Sequence, residues 1–264
     1  MSFAFHHDKP RYFNDQYLNS KNHVIPFIEQ SLKVKAGLKV LEIGCAEGGV
    51  LKAFTDLGCI CTGVELSASK VENANIFMKE EIEKQLVKFV CKNIYELDFK
   101  AEFAHQFDLI VLKDTIEHIP DQERIIGYLK YLLKKEGHIF FGFPPWHMPW
   151  GGHQQICKSK FLMFLPYFHL LPMAMYKQFL RFFGEKESHI EMLAEIKETG
   201  ITSTRFEQII TKCHFSIRSS RFYLVNPIYY YKFKWKPRFQ LKLIEDMGFL
   251  RDWVSTTVYY LVKC

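Results

Sequence analysis

Between residues 39 and 143, short apolar runs alternate with helix-forming stretches, and this rhythm constrains the fold more than any other feature of the chain. Residues 39–44, 59–65, 86–91, 107–112 and 138–143 read as buried strands. Residues 48–57, a stretch from Ser67 or Ser69 to about 84, and residues 122–134 read as the helices between them. Glu72 completes a capping box on Ser69, Asp121 is the N-cap of the third helix, and Gly137 introduces the fifth strand. Strands and helices in strict alternation predict a doubly wound α/β fold, a mostly parallel sheet covered on both faces. The rhythm stops at Pro144-Pro145. Residues 146–204 carry no strand pattern and are rich in Phe, Leu, Met and Trp, which predicts a helical cap inserted into the core. Alternation resumes with a Thr204-x-x-Glu207 capping box, a helix to about 213 and strands at 215–224 and 256–262. Residues 1–20 look irregular, with a helix from a Ser20 N-cap through 32.

A length of 264 residues suits one domain with an elaboration. The expected organisation is an N-terminal helical segment (1–37), a core (38–145), an aromatic-rich cap (146–204) and a return to the core (205–264). Hydrophobic residues at 48% and charged residues at 24% fit a globular chain and exclude disordered and collagen-like classes. Lys and Arg exceed Asp and Glu by 35 to 29, a bias short of the basic stripe of a dedicated nucleic-acid binder. The seven cysteines, at 45, 59, 61, 91, 157, 213 and 264, form no C-x-x-C pair. Neither a metal site nor a disulfide framework is therefore expected, and a reduced, cytoplasmic compartment fits. Residues 1–11 carry His6, His7 and Asp8 and lack the apolar region of a signal peptide.

The sharpest local signal is Leu41-Glu42-Ile43-Gly44-Cys45-Ala46-Glu47-Gly48-Gly49, a strand feeding small residues into a helix so that the backbone can approach a ligand. It satisfies a relaxed dinucleotide pattern through Gly44, Ala46 and Gly49. It equally satisfies a relaxed E-x-G-x-G-x-G through Glu42, Gly44, Ala46 and Gly48. Glu65 ends the second strand 21 residues after Gly44, where its carboxylate can accept both hydroxyls of a ribose, and both cofactor classes use such an acid. No G-K-[ST] phosphate loop is present.

With Phe107 to Asp121, containing Lys113, Asp114, Glu117 and His118, and with Leu132 to Phe141, the sequence resembles the class I S-adenosylmethionine-dependent methyltransferases, in particular their small-molecule and glycan-type branch. The resemblance covers about residues 38–145. It implies a seven-stranded sheet whose last strand is antiparallel, and S-adenosylmethionine as cofactor. Carried over residue by residue, it places Glu42, Gly44, Ala46 and Gly48 around the methionine and ribose, Glu65 and the adjoining Leu66 at the ribose, Asn93 and Ile94 at the adenine, and Lys113 and Asp114 at the end of the fourth strand. Asn93 stands where the family usually has Asp, and Ala46 where a middle glycine is commoner.

In open α/β sheets ligands lie beyond the carboxyl ends of the strands, so the segment from Pro144 to Gln155 should overhang the acceptor. His118, His147 and His153 are the catalytic candidates for a general base, each with a plain loop or packing role as the alternative. The stretch 161–176 is apolar but broken by Pro166 and Pro172, too short and interrupted for a membrane span. It reads as a lid, or, over 161–183, as a peripheral membrane contact. The run 229–238 mixes aromatics and cations and reads as a solvated edge, a lipid anchor or a base-stacking surface. The expected function is methyl transfer to a small-molecule, glycan or lipid-linked acceptor. An RNA methyltransferase and a non-catalytic cofactor-binding interaction protein are the alternatives. Aromatic residues concentrate in 146–183 and 222–235, outside the predicted cofactor loop, which favours an apolar or stacking acceptor.

Overall fold

The strands form one sheet in the order β3-β2-β1-β4-β5-β8-β6-β7. The computed structural model describes residues 8–96, 101–248 and 250–264. β1 (Lys39–Ile43), β2 (Ile60–Glu65), β3 (Val87–Cys91), β4 (Phe107–Lys113) and β5 (Leu133–Phe143) pair in parallel. β8 (Thr257–Lys263) runs antiparallel between β5 and β6 (Ser216–Val225), and β7 (Arg238–Phe239) adds a two-residue edge to β6. The count is thus eight strands against seven expected, because the two-residue β7 is too short to leave an apolar run.

Strand order reverses between β1 and β4. The chain travels outward through β2 and β3, then restarts on the other side of β1. Crossovers on either side of this switch point cannot cover the carboxyl ends of β1 and β4, so a crevice opens there. Side chains alternate between the two sheet faces with a period of two. Leu41, Ile43, Ile110, Leu112, Ile139 and Phe141 pack with helices α6 (Gln122–Leu129) and α10 (Ser203–Lys212). Val40, Leu109, Val111 and Phe140 pack with α2 (Ile25–Ile28) and α3 (Gly49–Thr55).

The amino-terminal region departs from the reading of its sequence. Lys9–Asn19 is a helix, α1, with Asp8 accepting a hydrogen bond from the Arg11 amide and Pro10 in the first turn. It continues through a π-helical turn, Ser20–Val24, into α2. Ser20 lies inside this continuous helix and is not its N-cap. The Ser69–Glu72 capping box does not form: Ser67 is the N-cap of α4 (Ala68–Phe77), and its hydroxyl lies 3.0 Å from that of Ser69. Thr202, with its side chain accepting from the Arg205 amide, caps α10 in place of Thr204. β5 begins at Leu133, so Gly137 sits within the strand.

Residues after β5 form a helical unit with its own core, and no strand occurs among the residues between Pro144 and Ser203. Cys157, Leu162, Met163, Phe168, Tyr176, Leu180, Ile190 and Leu193 pack together across α7 (Lys160–Phe164), α8 (Met173–Phe182) and α9 (Glu187–Thr199). Its two ends are tied at a neck. The Trp146 amide donates to the Ile201 carbonyl at 2.8 Å, and a Cβ on Gly200 would lie 2.3 Å from the Trp146 ring. His169 is fully buried here, with Nε2 at 2.9 Å from the Trp146 carbonyl and its ring edge-on to the indole. No helix among the described residues is long and apolar enough to cross a membrane.

Burial lowers the His169 pKa to about 4, and His153 behaves likewise. Between pH 6.5, the ordinary histidine value, and about 4, the unfolded chain binds protons that the folded chain refuses. Stability is therefore expected to fall on acidification through this window. Urea melts at pH 7.5 and 5.0 measure the fall, and His169→Phe should flatten it. An equal fall in that variant would contradict the assignment.

Candidate active site

The carboxyl end of β1 turns sharply so that α3 can start against the sheet. Gly44 takes a φ of +72°, and a Cβ there would sit 2.8 Å from the Thr115 side chain. Its amide and that of Cys45 donate to the Val64 carbonyl, which extends the β1–β2 pairing into the turn. Gly48, also left-handed, is the N-cap of α3. Ala46 adopts a φ of +46° despite its Cβ. The Glu65 carboxylate holds it there by accepting from the Ala46 amide at 3.1 Å. The same carboxylate accepts from the Leu66 amide at 2.9 Å and the Ser67 amide at 3.0 Å. Three backbone donors thus fix its orientation beside the turn, and the Lys70 ammonium lies 3.8 Å from its Oε2.

Glu42 lies beneath this turn, buried, with Oε2 lacking any hydrogen-bond partner. Burial pushes its carboxyl well above the ordinary range, against the opposing pull of Lys113. Lys113, also buried, reaches Asp114 at 2.5 Å. Burial would raise the Asp114 carboxyl, but the Lys113 ammonium outweighs it and holds the group below its usual value. These groups bound a cleft of about 110 Å³ lined by Glu42, Gly44, Cys45, Ala46, Lys113 and Asp114 together with Tyr12, Phe13 and Gln16 of α1.

A larger cavity of about 530 Å³ joins that cleft. Tyr12, Gln16, Ala46, Glu47, Lys70 and Asp114 line both. Beyond them the cavity runs past Glu117, His118 and His153, then out between Met163 and Phe164 of the helical unit and Tyr229, Phe233 and Trp235 on the opposite wall. One end is therefore ionisable and the other aromatic. Burial, with Asp114 nearby, raises the Glu117 carboxyl, and both of its oxygens are buried without a hydrogen-bond partner. His118 Nε2 is 3.9 Å from Glu117 Oε1, and the His118 and His153 rings lie 4.8 Å apart. Burial lowers His118, and burial with His118 beside it lowers His153 to about 4.

The cofactor-site residues expected from sequence divide into those that line the cleft or cavity and those that do not, Gly48, Glu65, Leu66, Asn93 and Ile94 being among the latter. Glu42, Gly44, Ala46, Lys113 and Asp114 line the cleft. Leu66 contributes its amide to Glu65 while its side chain is largely exposed. Asn93 lies two residues beyond Cys91, the parallel partner of Glu65, and its side chain accepts from the Tyr95 amide at 3.0 Å. Ile94 is packed in the core. Of the three histidines, His118 and His153 line the cavity. His147 stacks on Trp253 at 5.2 Å and is not among the cavity-lining residues.

Two lining residues, Tyr12 and Gln16, had no sequence signal strong enough to single them out, and the run 229–238 had no single reading. The sequence leaves that run open between a solvated edge, a lipid anchor and a base-stacking surface. In the structure Tyr230, Phe233 and Trp235 are exposed, while α11 (Ile228–Phe233) packs against α1, and Tyr231 donates to the Leu18 carbonyl at 3.1 Å. That contact turns Tyr229, Lys232 and Phe233 toward the cavity.

Residues 41–141 match the family model described as a methyltransferase domain. Over 119 residues the chain is 33% identical to the ubiquinone biosynthesis O-methyltransferase of Coxiella burnetii (strain Dugway 5J108-111), covering 44% of this chain and 47% of that protein. Over 145 residues it is 30% identical to the enzyme of the same name from Histophilus somni (strain 2336), covering 51% and 58%. The chain thus spans about half the length of the curated relatives it matches. Among solved structures, a SAM-dependent methyltransferase from Aquifex aeolicus superposes with a TM-score of 0.55 at 8% identity, covering 97% of both chains. The geranyl diphosphate C-methyltransferase from Streptomyces coelicolor A3(2) superposes with a TM-score of 0.56 at 14% identity, covering 91% of this chain and 76% of that one. At these identities the superpositions establish the fold.

Proposed function

We infer, from the premise that residues 41–141 are a methyltransferase domain of the class I S-adenosylmethionine-dependent kind, that the chain methylates an apolar small molecule bearing a nucleophilic hydroxyl or amine. The observation that carries this reading is the continuity of the two cavities. The polar cleft at the glycine turn opens into a chamber whose far walls are Met163, Phe164, Phe233 and Trp235. A cofactor and an acceptor can meet at Asp114, which lines both.

The cleft residues suit S-adenosylmethionine. Glu65, fixed by three amides, offers carboxylate oxygens to a ribose diol. The unpartnered Glu42 Oε2 offers an acceptor to an ammonium or hydroxyl donor, which a buried carboxyl needs to offset its desolvation. Lys113 and Asp114 supply one cation and one anion at the boundary with the chamber. The bound cofactor supplies an electrophilic methyl group on a cationic sulfur. Catalysis by the chain then consists of holding the nucleophile in line and excluding water.

The aromatics lining the cavity mouth support an apolar acceptor over a glycan or an RNA strand. The relatives named ubiquinone biosynthesis O-methyltransferases favour oxygen as the methylated atom. The test supplies labelled S-adenosylmethionine to the purified chain with three acceptor pools: the organic-soluble fraction of a cell extract, its water-soluble glycans and its total RNA. Label is expected in the organic-soluble pool. Label confined to RNA or glycans would overturn the reading.

A further inference from the structure

The walls of the larger cavity carry an excess of positive charge that a cationic cofactor does not explain. They hold the ammoniums of Lys9, Lys70 and Lys232 against the carboxylates of Glu47 and Asp114. The third acid of the lining, Glu117, has its carboxyl raised by burial and is uncharged near neutral pH. Both wall carboxylates already have another cation in contact: Glu47 has Lys9 at 2.9 Å, and Asp114 has Lys113 at 2.5 Å. Asp15, the other acid that acts on Lys232, has Arg11 at 4.0 Å. None of these carboxylates therefore depends on Lys232 as its counter-ion.

Lys232 belongs to α11, and the docking of that helix on α1 decides which of its faces meets the cavity. Tyr231 donates to the Leu18 carbonyl and accepts from the Asn22 side chain at 2.9 Å. Tyr229, Lys232 and Phe233, at helical spacing from one another, then line the cavity together. Asp114 acts electrostatically on both Tyr229 and Lys232, so these two stand toward the polar end, where cofactor and acceptor meet. Phe233 and Trp235 continue the same wall to the mouth, where Trp235 and Phe164 are exposed. Among the described residues the Tyr229 hydroxyl meets no hydrogen-bond partner. Burial lowers the Lys232 pKa, against the opposing pull of Asp114, and an anionic ligand would offset that loss of solvation.

We propose that Lys232 and Tyr229 form a subsite for an anionic oxygen group, a carboxylate or a phosphate, on an otherwise apolar acceptor. This rests on the methyl-transfer reading above and narrows its substrate to an acidic amphiphile. The acidic head lies on α11 near Asp114, and the apolar body runs out along Phe164, Phe233 and Trp235. The ammonium supplies a charge-assisted hydrogen bond, and the phenol one turn earlier supplies a second donor. A neutral acceptor would leave the ammonium desolvated without compensation, and a cationic one would be repelled by it and by the sulfonium. Lys232 and Tyr229 thus determine specificity by the charge of the acceptor, while the aromatic wall selects for its apolar body.

The experiment titrates the full chain, saturated with S-adenosylhomocysteine, with four probes that share one tail: decanoate, decyl phosphate, decanol and decyltrimethylammonium, each below its aggregation threshold. At least one of the two anions is expected to bind one-to-one and about tenfold to a hundredfold tighter than decanol, the range a charge-assisted hydrogen bond contributes. The cation should bind more weakly than decanol. The tighter anion identifies the head as carboxylate or phosphate. Lys232→Met should reduce the anion to the affinity of decanol and leave decanol itself unchanged, whereas Lys232→Arg should keep the preference. Tyr229→Phe should weaken the anion by about threefold to tenfold. Titration with S-adenosylhomocysteine reports that each variant is folded. Decanol binding as tightly as both anions to the native chain overturns the proposal even if Lys232→Met does not fold. An unchanged anion affinity in a folded Lys232→Met overturns it too, as does uptake of several equivalents of anion, which is adsorption to the surface. If S-adenosylhomocysteine fails to bind the native chain, the methyl-transfer reading fails, and the preference for anion over decanol in the unliganded chain still decides this one.

Discussion

Glu65→Ala is expected to abolish the thermal stabilisation that S-adenosylhomocysteine gives the native chain. Two roles are lost at once. The carboxylate would accept the two ribose hydroxyls, and charge-assisted bonds of this kind contribute about 1.5–3 kcal/mol each. It also holds the Ala46 amide, at a residue whose φ of +46° is unfavourable for any side chain but glycine's. Removing the acceptor frees the turn to relax away from the ligand. A combined loss of about 3 kcal/mol or more weakens binding at least a hundredfold. Ligand at a hundred times its native dissociation constant, worth about 2.7 kcal/mol of stabilisation, would then add well under 1 kcal/mol. Thermal melts across a ligand series read this directly. A Glu65→Ala protein stabilised as strongly as the native one would remove Glu65 from the site.

Gly49→Val should have the larger effect on stability. Gly49 opens α3, where α1 crosses so closely that a Cβ would lie 2.4 Å from the Phe13 carbonyl oxygen and 3.0 Å from the Gln16 Cβ. Backbone stands on one side and the sheet-packed helix on the other, so neither yields cheaply. Overpacking in such places costs typically 1–3 kcal/mol, and valine adds two further methyls, so a loss of about 3 kcal/mol is expected in urea melts. Function should fall with it. Displacing α1 withdraws Tyr12, Phe13 and Gln16 from the cleft, so cofactor affinity should drop even in the fraction that folds. Gly37→Ala is the comparison. It carries a φ of +79° but nothing lies within 4 Å, so it should cost only about 1 kcal/mol of backbone strain and leave binding intact. Equal costs for the two variants would contradict the helix-crossing argument.

The parts of the site that could be read from the sequence are those made by the sheet. β1, β2 and β4 are buried along most of their length, so their apolar character is plain, and the residues that end or follow them (Gly44, Glu65 and Asp114) fall at the carboxyl ends of the strands by topology alone. The parts that could not be read come from helices that bury polar surface. α1 encloses Asp15, Gln16 and Asn19 and so has no apolar stripe of helical period, although it forms one wall of the cleft. Its one available signal was Asp8 followed by Pro10, an N-cap with proline in the first turn. The run from Tyr229 to Trp235 looked like an exposed edge for the complementary reason. Part of it is an exposed edge, with Tyr230, Phe233 and Trp235 open to solvent, but Tyr231 and Ile228 are held by α1 and the core, neither of which is adjacent to it in sequence. Glu117, inside the motif that carries the resemblance, could equally have capped backbone amides, and only the packing shows that its oxygens meet none. His147 illustrates the converse: it lies in the loop directly after β5, but it stacks on Trp253 and is not among the cavity-lining residues.

Isothermal titration of the native chain with S-adenosylhomocysteine, followed by NAD, tests the central claim most directly. One-to-one binding at micromolar or tighter affinity, or about −8 kcal/mol, is expected for S-adenosylhomocysteine, with no heat from NAD. Absence of binding at millimolar S-adenosylhomocysteine, or preferential binding of NAD at the same glycine turn, would contradict it.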